Sequence, residues 1–139
     1  MHLRNSNGTA AVEFGLILPV LVILVVGTIE FALVLYDKAV ITNASREGAR
    51  YGTVYRTTPV SSDEIGEIVD DYCADYLISL GSPQSVSRTV TGDCSVPDSE
   101  LIVDVTYPYD FLVLPNFVDG LIGIVTIHAE TVMQCENKS

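Results

Sequence analysis

FGLILPVLVILVVGTIEFALVLY, residues 14–36, is a run of 23 residues with a single charge, Glu30. As an α-helix rising ~1.5 Å per residue it covers about 34 Å, enough to cross a hydrocarbon core ~30 Å thick. A secretory signal peptide has a shorter apolar core and ends in a small-x-small cleavage site. None follows here: Asp37 and Lys38 come next and the helical pattern goes on. The run therefore reads as a retained membrane-spanning helix. Pro19 removes one backbone hydrogen bond and predicts a kink that a neighbouring helix would cover. Glu30 is off-centre and has two readings: a carboxylate reaching for the interface, or a polar contact between helices in an assembly.

Toward the N-terminus, Glu13 stands at the edge of the run, preceded by GTAAV at 8–12 and by MHLRNSN at 1–7, which carries Arg4 and no acid. A short basic leader, a glycine, four small or apolar residues, a glutamate and then a long apolar run resembles the prepilin signal cut by type IV prepilin peptidases. That resemblance implies cleavage between Gly8 and Thr9, with Glu13 as the fifth residue of the mature chain. The chemistry is coherent. Glycine offers an unbranched backbone at the scissile bond. Cutting there leaves the α-ammonium of Thr9 one helical turn from the Glu13 carboxylate, and in lipid the two charges favour pairing, within one chain or between neighbours. The alternative is an ordinary signal anchor. Basic residues flank both ends of the span (Arg4 before it; Lys38, Arg46 and Arg50 after it), so charge alone does not orient it. The leader does, placing residues 1–8 in the cytoplasm and 37–139 outside.

Toward the C-terminus, DKAVITNASREGARYG at 37–52 keeps helical period without a breaker. Ala44, Gly48 and Gly52 recur every four residues beside Ser45 and Ala49, a stripe of small residues that permits close approach of another element. Arg46 and Arg50 share a face, and Glu47 can pair with Arg50.

The remaining segments predict a small α+β domain. Residues 61–81 read as an amphipathic helix. Ser61 and Glu64 make a capping box, and Ile65, Ile68, Val69, Tyr72, Cys73, Tyr76, Leu77 and Leu80 form its apolar stripe, closed by Gly81 and Pro83. The opposite face carries Glu67, Asp70, Asp71 and Asp75; without the loop geometry of a calcium site it reads as solvated. Strand-like runs follow at 85–91, 101–107 and 121–135, the first two joined through the turn at 96–99 as an antiparallel hairpin. Both helices are expected on one face of this three-stranded antiparallel sheet. Residues 108–120 read as a loop with six large apolar side chains, either folded back over the core or presented to a partner or the bilayer.

Cys73, Cys94 and Cys135 lack metal or redox spacing, and outside the cytoplasm a disulfide is the default. Cys94 ends the first strand and Cys135 the third, so a meander brings them to one sheet edge. Cys73 competes for the same bond, and the thiol left over could link two chains.

Seven basic and 18 acidic residues give a net charge of -11, yet mean hydropathy is positive, at +0.38. Apolar and acidic residues are thus segregated along the chain. So acidic a surface excludes nucleic acid and disfavours anionic lipid. His128, mid-strand, is the only histidine after the leader, and no phosphate loop, metal motif or nucleophile elbow is present. No catalytic residue, metal, cofactor or small-molecule substrate is expected. The Asn43 sequon falls inside the helix.

Taken together, AVEFGLILPVLVILVVGTIEFALVLY and ITNASREGARYG resemble the TadE-like family of minor pilins, as do, further on, LIVDVTYPYDFLVLP and VTIHAETVMQCE. The resemblance runs over 8–136, densely through Tyr51 and loosely from about 53 to 99; the cysteines and the acidity depart from it. It implies a minor pilin or pseudopilin of the tight-adherence (Tad, Flp) pilus, with a leader at 1–8, an assembly helix at 9–36 and an exported domain at 37–139. Implied partners are prepilin peptidase, other pilins and pseudopilins, the inner-membrane assembly platform and membrane lipid. The other class of reading is a permanently tethered accessory domain in the bacterial inner membrane that never enters a filament.

Overall fold

The helical period that begins in the apolar run never breaks until Thr53. In the computed structural model, which describes residues 6–82, 84–96, 98–111 and 125–136, one helix, α1 (Ser6–Thr53), carries both the apolar run and the polar stretch after it. At ~1.5 Å per residue its 48 residues span about 72 Å. Then come α2 (Ser62–Tyr76) and strands β1 (Ser87–Thr91), β2 (Glu100–Tyr109) and β3 (Val125–Gln134). The strands form one antiparallel sheet in the order β1-β2-β3. This is the α+β architecture the sequence predicts.

Periodicity also decides which half of α1 packs. Before Glu30 its side chains are mostly exposed. From Glu30 onward one face is buried at helical spacing, through Asp37, Val40, Ile41, Ala44, Ser45, Gly48, Ala49 and Gly52. That face lies over β2 and β3, with α2 beside it covering β1. Alternation supplies the other side of the core: Leu101, Val103, Val105, Tyr107 and Tyr109 of β2 point inward with Ile127 and Ala129 of β3. Packing of α1 thus begins inside the apolar run.

Three boundaries differ from expectation, each for a physical reason. α2 stops at Tyr76 rather than continuing to Gly81. Leu77 turns extended and its N–H bonds Cys73 O at 2.9 Å. The next N–H, of Ile78, is taken by the Asp37 carboxylate of α1 at 3.1 Å, a tertiary bond in place of a helical one. Pro108 and Tyr109, expected in a loop, belong to β2. The register pairs β1 only as far as Thr106, so at Pro108 β2 has a single neighbour, β3, and a residue lacking an N–H is tolerated there. β1 begins at Ser87, two residues late. Asp110 and Phe111 follow β2; residues 112–120 of the expected loop and the first residues of the expected third strand, 121–124, lie outside the described residues.

The hairpin turn closes as its residues require. Ser99 N donates to Val96 O at 3.3 Å, and Asp98 takes a positive φ of 61°. Gly92 has φ 95°, and a Cβ there would meet Glu100 O at 2.2 Å, so only glycine fits. At the start of α2 the capping box is complete: Ser61 Oγ accepts from Glu64 N at 3.2 Å, and the Glu64 carboxylate accepts from Ser61 N at 3.0 Å. The returned hydrogen bonds hold the Glu64 carboxyl below its ordinary value.

Candidate functional site

The N-terminal half of α1 is the first candidate region. Gly8, Thr9 and Glu13 all lie on the helix and are exposed, and nothing stands within 4 Å of a Cβ built at Gly8. Thr9 and Glu13 are four residues apart and share a face. The helix continues through Pro19, whose missing N–H leaves the Gly15 carbonyl without its i+4 donor. Val12, Phe14, Leu16, Ile17, Val20, Leu21 and Leu24 are among the exposed apolar side chains. So long a continuous apolar surface is not one that water accommodates. α1 is long and apolar enough to cross a membrane, which is consistent with membrane association.

The second region is the junction of this helix with the domain. Glu30 and Asp37, seven residues apart on one face of α1, are both fully buried. Glu30 is therefore an internal group of the fold, neither a carboxylate reaching for the interface nor a contact held open for another helix. Asp37 Oδ1 accepts the Ile78 N–H, while Oδ2 and the hydroxyl of Tyr109 have no hydrogen-bond partner among the described residues. Burial raises the Asp37 carboxyl, with the Ile78 N–H opposing. Burial also raises the phenol of Tyr109, and the Asp37 and Glu30 charges raise it further. The sequence pattern alone assigns Asp37 no role beyond following the apolar run. Its place two turns beyond Glu30 was the available signal.

A raised carboxyl makes a testable statement. The folded state holds the Asp37 proton to higher pH than the unfolded chain does. The cost of its charge is absent below the unfolded value, 3.8, and is fully present once the pH passes the raised folded value. Asp37→Asn keeps an oxygen for Ile78 N–H without the charge. Between about pH 4 and pH 7 the variant in detergent micelles should gain thermal stability relative to wild type. Parallel wild-type and variant melting curves across that range would refute it.

The remaining predicted residues serve packing or lie at the surface. Gly48 faces α2, where a Cβ would come within 2.6 Å of Val69 Cγ2. The small-residue stripe is thus occupied by the chain's own elements: α2 at Gly48, α2 and β2 at Gly52, and β3 at Ser45, whose Oγ lies 2.7 Å from Thr131 Oγ1. Arg46 is exposed, and Glu47 pairs with Arg50 at 3.2 Å on the solvent side, where such pairs add little. Cys94 and Cys135 form a disulfide with Cα atoms 5.5 Å apart. Cys73 is a buried free thiol on the apolar face of α2, pushed up to about 11 by burial and by Asp70. A thiol so placed is inert, which removes the basis for expecting it to link two chains.

One cluster went unseen in the sequence. The β2–β3 register sets Asp104 opposite Glu130, and the Asp104 carboxylate also contacts His128 Nε2, with all three ligand atoms within 4.8 Å of one another. Such a trio could hold a cation. It lies on the outer sheet face, and the hydrogen-bond contact between His128 Nε2 and the Asp104 carboxylate accounts for the arrangement without one. Residues 24 apart gave no local signal. His128 is on the opposite side of the sheet from Cys73, so those two do not meet as nucleophile and base. A cavity of about 470 Å³ beside Cys73, bordered by Asp70, Leu77, Ser79 and Tyr107, brings no histidine to that thiol.

Comparison with known proteins matches residues 8–50 to a family model described as TadE-like protein. The matched segment is α1 from Gly8 to Arg50; α2 and the sheet lie beyond it. No curated protein and no solved structure matches the chain.

Proposed function

We propose that the chain, with its TadE-like segment at residues 8–50, is a minor pilin or pseudopilin of a tight-adherence pilus. The supporting observation is that match together with the division of labour along α1. One continuous helix offers an exposed apolar half for membrane or filament and builds the core of an α+β domain with the other half. In this reading a prepilin peptidase cuts after Gly8 and releases Thr9 with a free α-ammonium. Glu13 pairs with that charge, in its own chain or a neighbour's, and helps set the register as the subunit leaves the bilayer for an assembly. The domain stays outside the inner membrane, and the role is structural rather than catalytic.

The test is an intact mass of the protein purified from its host's membranes, followed by sheared-filament yields of Glu13→Ala. A species beginning at Thr9 is expected. Even half of the ~3 kcal/mol that an unpaired charge costs within a bilayer is about a tenfold loss, so the variant should fall at least that far in filaments. A species retaining residues 1–8 in peptidase-competent cells would overturn the processing step. A processed protein absent from filaments and indifferent to Glu13→Ala would instead be a tethered accessory domain.

A further inference from the structure

We propose that the segment at the end of α2, from its last residue Tyr76 through the extended residues Ile78 and Leu80, rests in the interfacial layer of a bilayer and seats the domain on the membrane. The proposal rests on the reading that α1 spans that bilayer.

Depth follows from the helix itself. A hydrocarbon core ~30 Å thick, centred on the 14–36 run at residue 25, ends about ten residues further on, near Leu35. Asp37 then stands about 3 Å beyond that boundary, within the ~5–7 Å headgroup layer. Asp37 in turn fixes Ile78, whose N–H it accepts at 3.1 Å. The chain continues against the end of β2: Ser82 N donates to Asp110 Oδ2 at 3.1 Å, and a Cβ at Gly81 would touch Asp110 O at 2.5 Å. That end of β2 is the membrane-proximal one. Its other end, at Leu101, packs on Gly52 near the far terminus of α1.

Polarity points the same way. Tyr76, Ile78 and Leu80 are 50%, 45% and 42% exposed, while the alternating Leu77 and Ser79 are half-buried. The extended residues after α2 thus turn Ile78 and Leu80 outward beside Tyr76, the last residue of the helix and of a type favoured at lipid–water boundaries. On α1, Leu35 and Tyr36 at the same depth and Phe31 about 6 Å deeper are also exposed, so the edge runs on into the lipid-facing surface. Asp71 and Asp75, exposed on the last turns of α2, select the lipid: zwitterionic headgroups, not anionic ones.

The chain has no tryptophan, so a single substitution supplies a unique reporter. Full-length Ile78→Trp and Tyr76→Trp, in phosphatidylcholine vesicles brominated high on the acyl chain, should lose about twofold or more of their emission against unbrominated vesicles, as residues sunk ~5–10 Å at the headgroup boundary would. Phe31→Trp reports the span, and Tyr55→Trp, just past the end of α1 at Thr53, which lies about 24 Å further along the axis than Asp37, should be unaffected. Quenching at 31 without quenching at 76 and 78 overturns the seating and leaves the span standing; a partner subunit would then be the cover for this edge. Absence of quenching at 31 overturns the spanning helix and the seating together. Unchanged circular dichroism certifies each variant's fold, and either of the two reporters suffices if the other misfolds.

Discussion

Replacing Cys94 and Cys135 by serine is expected to destabilise the domain by about 4 kcal/mol, the largest loss from any single pairing in the chain. The bridge closes a separation of 41 residues, and chain-entropy arguments put a loop of that size near ~4 kcal/mol. It also acts where the sheet is most in need of it. The bridge holds Cys135, the residue after the end of β3, to the β1–β2 turn. Cys135 N donates to Ser99 O at 2.9 Å there, and Glu136 N to Thr53 O at 3.1 Å, joining the strand's end to the end of α1. For an exported region of roughly 100 residues the loss corresponds to about 15–30 °C in melting temperature. Thermal unfolding in detergent with and without reductant measures it. A shift of only a few degrees would mean that the unfolded chain is already confined by other means, and that the bridge is not what holds β3.

Gly52→Ala is the second large effect, and here two terms oppose each other. Alanine favours the helix over glycine by about 1 kcal/mol. Against that, the new Cβ would lie 2.5 Å from Leu101 Cδ2 and 2.6 Å from Ile65 Cδ1, two buried side chains on two different elements. Both are buried, so neither yields without leaving its packed position, and overpacking of that kind costs about 1–3 kcal/mol for a single carbon and more for a branched one. Gly52→Ala should therefore lose up to about 2 kcal/mol net, and Gly52→Val about 3 kcal/mol or more. Gly66→Ala is the informative contrast. Its Cβ would also be crowded, at 2.2 Å from Arg88 Nε, but the obstacle is the end of a flexible side chain bridging to Asp70. That guanidinium can swing outward, so Gly66→Ala should stay within about 1 kcal/mol of wild type. Denaturant midpoints of the three variants decide it. Equal losses at 52 and 66 would show that helix geometry and not the α1–α2–β2 contact sets the requirement.

These two effects differ in how legible they were. The small-residue stripe announced a close approach from its four-residue spacing alone. It did not say whether the approaching surface was another subunit or, as Val69 and Ile65 prove, the chain's own α2. Two cysteines at strand ends suggested a bridge, but Cys73 competed until α2 was seen to turn it into the core. The chemistry of processing stands apart: Gly8, Thr9 and Glu13 are read in the sequence, and their exposed positions on α1 are compatible with that reading.

What the sequence by itself determined is whatever depends on neighbours along the chain. The apolar run and its continuation as one helix follow from residues a few positions apart, as do the capping box at Ser61, the turn at Val96–Ser99 and the alternation of β2. What only the tertiary structure decided is whatever depends on groups far apart in sequence competing for one another. Asp37 ends α2 early by taking the Ile78 N–H from 41 residues away. The short reach of β1 admits Pro108 into a strand. The register of β2 on β3 assembles Asp104, His128 and Glu130, and the seating of the domain on α1 buries Glu30. A local pattern specifies a period and a face. It carries no information about which distant surface will meet that face, because that is set by burial summed over the whole fold.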